Sequence, residues 1–388
     1  QISVMIDVVP NHMGSVMFDY QQLNPFNKAE YYHDYCYIQN MDYQHNQWRI
    51  VNCRLLDLPD LKQEHPFVRQ TLLDHVEDFV RTYQVDGLRL DAVPHMPHWF
   101  ITEYYEAAKR GTVAKGQTPN DIFIVGEAFD PRFDFVRSFQ QNIPGLFNFP
   151  MFFNIVDVYK RGKNPQIISD EWKDLISNLG DGVDALGLFI DNHDNQRFLF
   201  QVPQNEQWRL NNALAFIFHV RGIPCLYYGT EQGFATDGDP YNRQPLWTTG
   251  FSEANPFFAY IAKLNKNRKD QNISGTPFNE VLVDNTVYAF TRGNVFVITR
   301  NSDSNIPSAQ FLLVDGDKKP IYSVGSKLAN LDDPQDVLTV GEGGVVQTEL
   351  KDGMPKIYNL VQSEQTQSLI SQDEIAATKE AQQYTIGL

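Results

Sequence analysis

The sequence has little cysteine, no long apolar run and no excess of positive charge, and each shortage removes a class of protein. Three cysteines in 388 residues, Cys36, Cys53 and Cys225, are too few for a disulfide-stapled miniprotein. None stands in the C-x-x-C spacing that suits structural zinc or thiol redox chemistry. No stretch approaches the roughly 18 to 20 apolar residues that cross a bilayer, so no membrane partner is expected. Gln1 to Pro10 lacks the charged, apolar and small-residue zones of a signal peptide, so an intact precursor is not expected. The balance of 32 basic and 48 acidic residues, a net charge of −16, repels a phosphate backbone, and no basic patch offsets it. Nucleic acid is therefore not an expected partner. Internal repeats and low-complexity tracts are absent too.

What is present is globular material, 42% apolar and 13% aromatic, long enough for two or three domains. Aromatic side chains at this level favour stacking surfaces for ring-shaped ligands, of which sugars are one class. Short apolar runs alternate with segments of helical period, the pattern of parallel strands covered by helices. The strand candidates are Ile2 to Val9, Gly87 to Val93, Ile122 to Ala128, Leu146 to Phe153, Leu186 to Ile190 and Ile223 to Tyr228. The clearest helix places Val68, Leu72, Leu73, Val76, Phe79, Val80 and Tyr83 on one face, with Pro66 near its start and Gly87 beyond its end. A second is expected over Asn205 to Val220, stopping at Gly222.

Met13 to His65 is too long and too polar for a simple strand-to-helix connection and reads as a small inserted domain. From about Asn279 the period alternates, with hairpins expected at Asp284-Asn285, at Arg292-Gly293-Asn294 and over Gly341 to Gly344. The expected division is a catalytic domain over 1–12 and 66–273, an insert over 13–65, an all-β domain over 274–361 and a polar tail over 362–388. That tail is either flexible or a lone helix around Asp373 to Ala381. An odd cysteine count leaves room for one bridge. Cys36 and Cys53 flank a polar loop, whereas Cys225 sits in an apolar run and reads as a buried free thiol. Pairing of the first two would mean an oxidising compartment. The sequon Asn272-Ile273-Ser274 points the same way.

Four apolar runs end in polar groups: DVVPNHMG (Asp7 to Gly14), GLRLDAVPH (Gly87 to His95), IFIVGEAFD (Ile122 to Asp130) and LFIDNHDNQR (Leu188 to Arg197). Strand ends are where reactive groups gather in parallel barrels, because the backbone is held there while the following loops open to solvent. Glycosidic bond cleavage uses such carboxylates, one attacking the sugar carbon while another, protonated, donates to the leaving oxygen. Asp91 lies two residues after Arg89 on one strand, so both point to one face, and the guanidinium keeps the aspartate ionised with a low pKa. Glu127 follows a buried run and neighbours negative charge, which raises its pKa toward that of a general acid. Asp194, between His193 and Asn195, is a third carboxylate able to bond sugar hydroxyls.

In this order the four blocks resemble the sequence regions of the α-amylase family of glycoside hydrolases. YCYIQN (Tyr35 to Asn40) and NCRLLDLPDL (Asn52 to Leu61) resemble that family's calcium-bridging insert. GIPCLYYGTEQG (Gly222 to Gly233) and DPYNRQPLW (Asp239 to Trp247) resemble its final barrel strand and substrate loop. The resemblance implies an α/β fold: a (β/α)8 TIM barrel entered at its third strand, an inserted small domain and a C-terminal antiparallel β-sandwich. Two strands, their helices and a signal peptide are then expected upstream of Gln1, since six strands do not close such a barrel.

Carried over by residue, the resemblance implies Asp91 as nucleophile, Glu127 as acid/base and Asp194 as transition-state stabiliser. His12, Arg89 and His193 match positions that hold the sugar being cleaved, His95 joins them as a substrate-binding residue, and Asp239 and Arg243 match a pair that contacts sugars toward the non-reducing end. Asp239 and Arg243 also fit a plain surface ion pair. Calcium is implied through the side chains of Asn11 and Asp60 and the main-chain oxygens of His95 and Val51. A Cys36–Cys53 bridge is implied as well. Pro94 stands where some members carry a lysine that binds sugar on the leaving side.

The expected activity is retaining endo-hydrolysis of α-1,4-glucosidic bonds in starch, glycogen or maltooligosaccharides by a secreted monomer. The lumen of a digestive vacuole or lysosome is the alternative location. An α-glucosidase or a transglycosylase would share the three carboxylates, although LPDL (Leu58 to Leu61) favours the amylase branch. A catalytically silent carbohydrate-binding relative would have lost one of them.

Overall fold

In the computed structural model residues 2–14, 19–112 and 122–361 are described, and the helix expected around Asp373 to Ala381 lies outside them. Contacts divide the chain into two units. The first holds Gln1–Val158, Ile167–Gln201 and Arg221–Phe251; the second holds Tyr159–Gln166, Val202–Val220 and Ser252–Leu388.

Six strands organise the first unit: β1 (Met5–Val8), β2 (Gly87–Leu90), β3 (Phe123–Gly126), β4 (Gly145–Phe147), β5 (Leu186–Leu188) and β6 (Ile223–Pro224). All run parallel and pair in sequence order, the pattern of a TIM-barrel sheet. The register sets Asp7 of β1 opposite Arg89 of β2, so neighbouring polar groups leave the sheet at one end.

The helix Pro66–Tyr83 begins with proline at its first turn, where no backbone donor is needed, and buries Val68, Leu72, Leu73, Val76 and Val80. Gln84 ends it in the left-handed region at φ 53°, donating to Val80 O, and Gly87, expected beyond the helix end and at the start of the next strand, opens β2. The helix His98–Thr112 packs on it through Arg69–Glu103 and Arg110–Glu77 ion pairs.

The expected strand Leu146 to Phe153 is half wrong. The strand stops at Phe147, Asn148 turns the chain and accepts from the Met151 N–H at 3.1 Å, and Phe149–Ile155 is a helix. A run buried on every side carries no period, so apolarity alone does not separate strand from helix. The expected strand Ile223 to Tyr228 is likewise confined to Ile223–Pro224, although Cys225 N–H still reaches Leu188 O at 2.7 Å. The helix expected over Asn205 to Val220 spans Trp208–His219.

Within the first unit, the segment between β1 and the helix Pro66–Tyr83 is zipped shut where it begins and ends. Leu61 N–H donates to Asn11 O at 2.8 Å, Met13 N–H donates to Pro59 O at 3.0 Å, and His12 bridges Asp60. The Cys36–Cys53 disulfide closes its centre beside the helix Gln47–Asn52, and Cys225 is free.

The second unit carries the antiparallel sandwich. Its larger sheet joins β7 (Phe278–Val283), β8 (Val287–Arg292), β9 (Val295–Arg300), β11 (Lys327–Asn330), β12 (Val337–Thr339) and β14 (Lys356–Leu360) in the order β12-β11-β14-β9-β8-β7. A smaller sheet pairs β10 (Ile306–Leu312) with β13 (Val345–Leu350). Val287, Ala289, Phe296, Ile298, Phe311, Leu328, Val346 and Tyr358 belong to the core that both sheets share. The hairpins at Asp284 and Gly293 form as expected; Asp284 Oδ1 accepts from Thr286 and Val287 N–H, and Gly293 turns at φ 54°. Gly341 to Gly344 does not make one. It carries the chain from β12 in the larger sheet to β13 in the smaller, a crossing that turn composition cannot tell from a hairpin.

Candidate active site

Arg89 is the hub of the strand ends. Its Nη1 donates to Asp7 Oδ1 at 3.0 Å and to Asp91 Oδ1, and its Nη2 lies 3.1 Å from Glu127 Oε2. The i, i+2 spacing on β2 thus puts Arg89 and Asp91 on one face, as the sequence reading requires. Backbone bonds fix the carboxylates in turn: Asp91 N–H donates to Val8 O at 3.0 Å and Glu127 N–H to Leu90 O at 2.8 Å. Gly126 lets β3 come close enough, since a Cβ there would sit 2.5 Å from Ile143 Cδ1 and 2.7 Å from Val93 Cγ2. A larger residue would have to push the Ile143 and Val93 side chains aside.

The two carboxylates differ in proton affinity. Burial alone lifts the Asp91 carboxyl, but the His12 imidazole, 3.8 Å away, and the Arg89 guanidinium outweigh it and bring the group down to about 2. Burial lifts Glu127 to about 7; Arg89 opposes that rise, while the charges of Asp91 and Asp194 add to it. One is ionised and the other can be protonated near neutrality, a division that environment alone imposes on two carboxylic acids.

Asp194 faces the same cleft. His193 Nε2 lies 3.2 Å from its Oδ2 and Arg243 Nη2 3.5 Å from its Oδ1, and Arg243 Nε pairs with Asp239 Oδ1 at 2.6 Å. His12, Asp91, His95, Glu127, His193 and Asp194 all line a cleft of about 580 Å³, together with Tyr43, Leu55, Leu56 and Leu58 of the insert and Phe129, Asp130 and Pro131 after β3. Asp239 and Arg243 reach it through their ion-pair chain. His95 is buried, its Nδ1 3.0 Å from Ile50 O, and burial lowers its pKa to about 4.

Two contributors escaped the sequence reading. Asp7 was quoted only as the head of its block, yet its register opposite Arg89 makes it the third carboxylate on that guanidinium. Asn242, between Asp239 and Arg243, is fully buried, and its Nδ2 lies within 3.2 Å of the carbonyls of Asn192, His193 and Asn195. It holds the loop that presents His193 and Asp194. Its place inside DPYNRQPLW is the one signal that could have marked it.

Two of the expected metal ligands, Asn11 and Asp60, lie where the insert closes. Asn11 is 1% exposed, and among the described residues neither its Oδ1 nor its Nδ2 has a hydrogen-bond partner. Asp60 is 4% exposed. Val51 follows Ile50, whose carbonyl touches His95. Among the described residues no three His, Cys, Asp or Glu side chains gather as a metal cluster.

Acidic side chains of opposed proton affinity around one cleft, at the ends of parallel strands, define a glycoside hydrolase. Known proteins narrow the class. Residues 1–277 match the family model described as Alpha amylase, catalytic domain. The chain is 30% identical over 371 residues to "Alpha-amylase" of Saccharomycopsis fibuligera, covering 92% of this chain and 69% of that one. It is 30% identical over 376 residues to "Alpha-amylase 1" of Schwanniomyces occidentalis, covering 92% and 68%. The solved alpha-amylase of Malbranchea cinnamomea superposes with a TM-score of 0.81 at 28% identity, over 92% of this chain and 74% of that one. The chain belongs to the α-amylase family.

Proposed function

We propose that this chain hydrolyses internal α-1,4-glucosidic bonds of starch, glycogen and maltooligosaccharides with retention. Asp91 attacks the anomeric carbon while Glu127 gives its proton to the leaving oxygen; Glu127 then takes a proton from the water that releases the glycosyl-Asp91 ester. Asp194 stabilises the oxocarbenium-like charge, and His12, Arg89, His95, His193, Asp239 and Arg243 hold the sugars. The supporting observation is the contrast between Asp91, held at about 2, and Glu127, raised to about 7, on one guanidinium. The test is cleavage of an end-blocked maltooligosaccharide, which Glu127→Gln should abolish while starch binding persists. Undiminished cleavage by that variant would remove Glu127 from the mechanism, and release of glucose from maltose in place of endo-cleavage would move the assignment to an α-glucosidase.

Calcium is proposed at the side chains of Asn11 and Asp60 with the carbonyls of His95 and Val51. The unpartnered, buried Asn11 amide and the buried Asp60 carboxylate fit a hard oxygen-seeking ion. Bound there, it would join the insert to the strand ends and take no part in proton transfer. A chelator should lower the melting temperature by mass action, and calcium should restore it. The Cys36–Cys53 disulfide supports secretion or an equally oxidising lumen, and a monomer is the proposed state.

A further inference from the structure

We infer that His33 is the residue that orients Asp60 for calcium, so that metal affinity in this chain depends on an imidazole that touches no metal. The inference rests on the calcium reading above and names what holds it in shape. Asp60 Oδ2 is 2.6 Å from His33 Nδ1, while Oδ1 makes no hydrogen bond among the described residues. One oxygen is tied and one is left for a ligand. His33 is in turn fixed from two further sides: its Nε2 lies 2.9 Å from Glu64 Oε1, and its backbone N–H donates to Asp60 O at 3.1 Å. Its side chain is 7% exposed, so the ring has little room to turn.

The backbone completes the frame. Leu61 N–H donates to Asn11 O at 2.8 Å, and the backbone of His12 bridges that of Asp60, so the main chains of Asn11 and Asp60 run side by side. Asn11 is located by main-chain bonds, but the Asp60 carboxylate can still rotate about its own torsion, and among the described residues His33 supplies the side-chain hydrogen bond that stops it. Hydrogen bonds to the far oxygen of a ligating carboxylate orient it, and losing such a partner costs about 10- to 100-fold in metal affinity. His33 does not act as a ligand itself, because both ring nitrogens already face carboxylate oxygens.

The test is calcium affinity of the metal-stripped enzyme, read by calorimetry and by the rate at which a chelator strips the loaded protein. His33→Ala should bind calcium about 10- to 100-fold more weakly. His33→Asn, whose amide nitrogen falls near the Nδ1 position, should keep affinity within about threefold, and His33→Gln, whose amide falls near Nε2 and faces Glu64, should release calcium about tenfold faster. The Asn and Gln pair decides the matter even if the alanine variant does not fold. Equal affinity and release in wild type, His33→Asn and His33→Gln would overturn the role of His33 while leaving the calcium site standing, provided Asp60→Asn abolishes binding. Absence of calcium uptake by the wild-type enzyme would overturn the calcium reading itself.

Discussion

The strand-end cleft of the first unit and a polar cluster in the sandwich of the second handle acidic side chains in opposite ways. In the sandwich, Asp336 Oδ2 accepts from Lys356 Nζ at 2.7 Å, Asn330 Nδ2 at 2.8 Å and Tyr358 Oη at 2.8 Å. Burial would raise its pKa, but these donors, led by Lys356, lower it. In the cleft, one guanidinium serves Asp7, Asp91 and Glu127 together, and among the described residues Glu127 has only the Ala92 N–H at 3.2 Å besides. Three donors converging on one Asp336 oxygen hold that carboxylate ionised and contribute stability. Glu127, buried and facing the charges of Asp91 and Asp194, keeps a proton to exchange, which is what acid catalysis requires.

Substitution should separate the two regions cleanly. The largest effect is expected for Glu127→Gln, with kcat on maltooligosaccharides reduced about 10²- to 10⁴-fold and the urea midpoint little changed. Asp336→Asn should do the reverse: kcat within about twofold of wild type, and unfolding free energy lower by about 1–2 kcal/mol because Lys356 loses its charged partner. Should Asp336→Asn impair kcat as well, the contrast between a structural and a catalytic carboxylate would fail. A smaller and continuous effect is pH dependence. Glu127 must be protonated to act and Asp91 ionised, so kcat/KM should fall as pH rises through about 7 and hold on the acid side toward about 2 until the fold itself fails. A basic limb near the ordinary glutamate value would remove Glu127 from the acid role.

The first region was more legible than the second because chemistry there is written at strand ends, where a carboxylate after an apolar run has few other uses. Arg89 and Asp91 could be placed on one face from their spacing alone, and burial of Glu127 followed from the run before it. Contacts that depend on register could not be read. Asp7 becomes a partner of Arg89 only once β1 and β2 are aligned, and Asn242 supports the His193 loop only once the chain has come back across it. Period failed where both sides are buried, as at Phe149, and turn composition failed at Gly341, where a glycine-rich turn changes sheets.

A control inside the first unit tests whether raised proton affinity is itself a mark of function. Glu171, on the helix Gln166–Leu179, is also lifted to about 7, by burial first and by Asp174 second, and its Oε1 is buried with no hydrogen-bond partner among the described residues. It has no Arg89 and lines no part of the cleft. A carboxyl whose folded pKa lies above its unfolded value contributes stability that is complete below the unfolded value, about 4.5, and is lost as pH rises through about 7. Glu171→Gln should therefore leave stability unchanged at pH 4 and raise it at pH 8 by on the order of 1 kcal/mol, a figure held down by partial solvent access, with kcat untouched. Urea midpoints at the two pH values read the difference. A gain at pH 8 without loss of activity would mean that an elevated carboxyl is informative only where other charges converge on it, as Asp91, Asp194 and Arg89 do on Glu127.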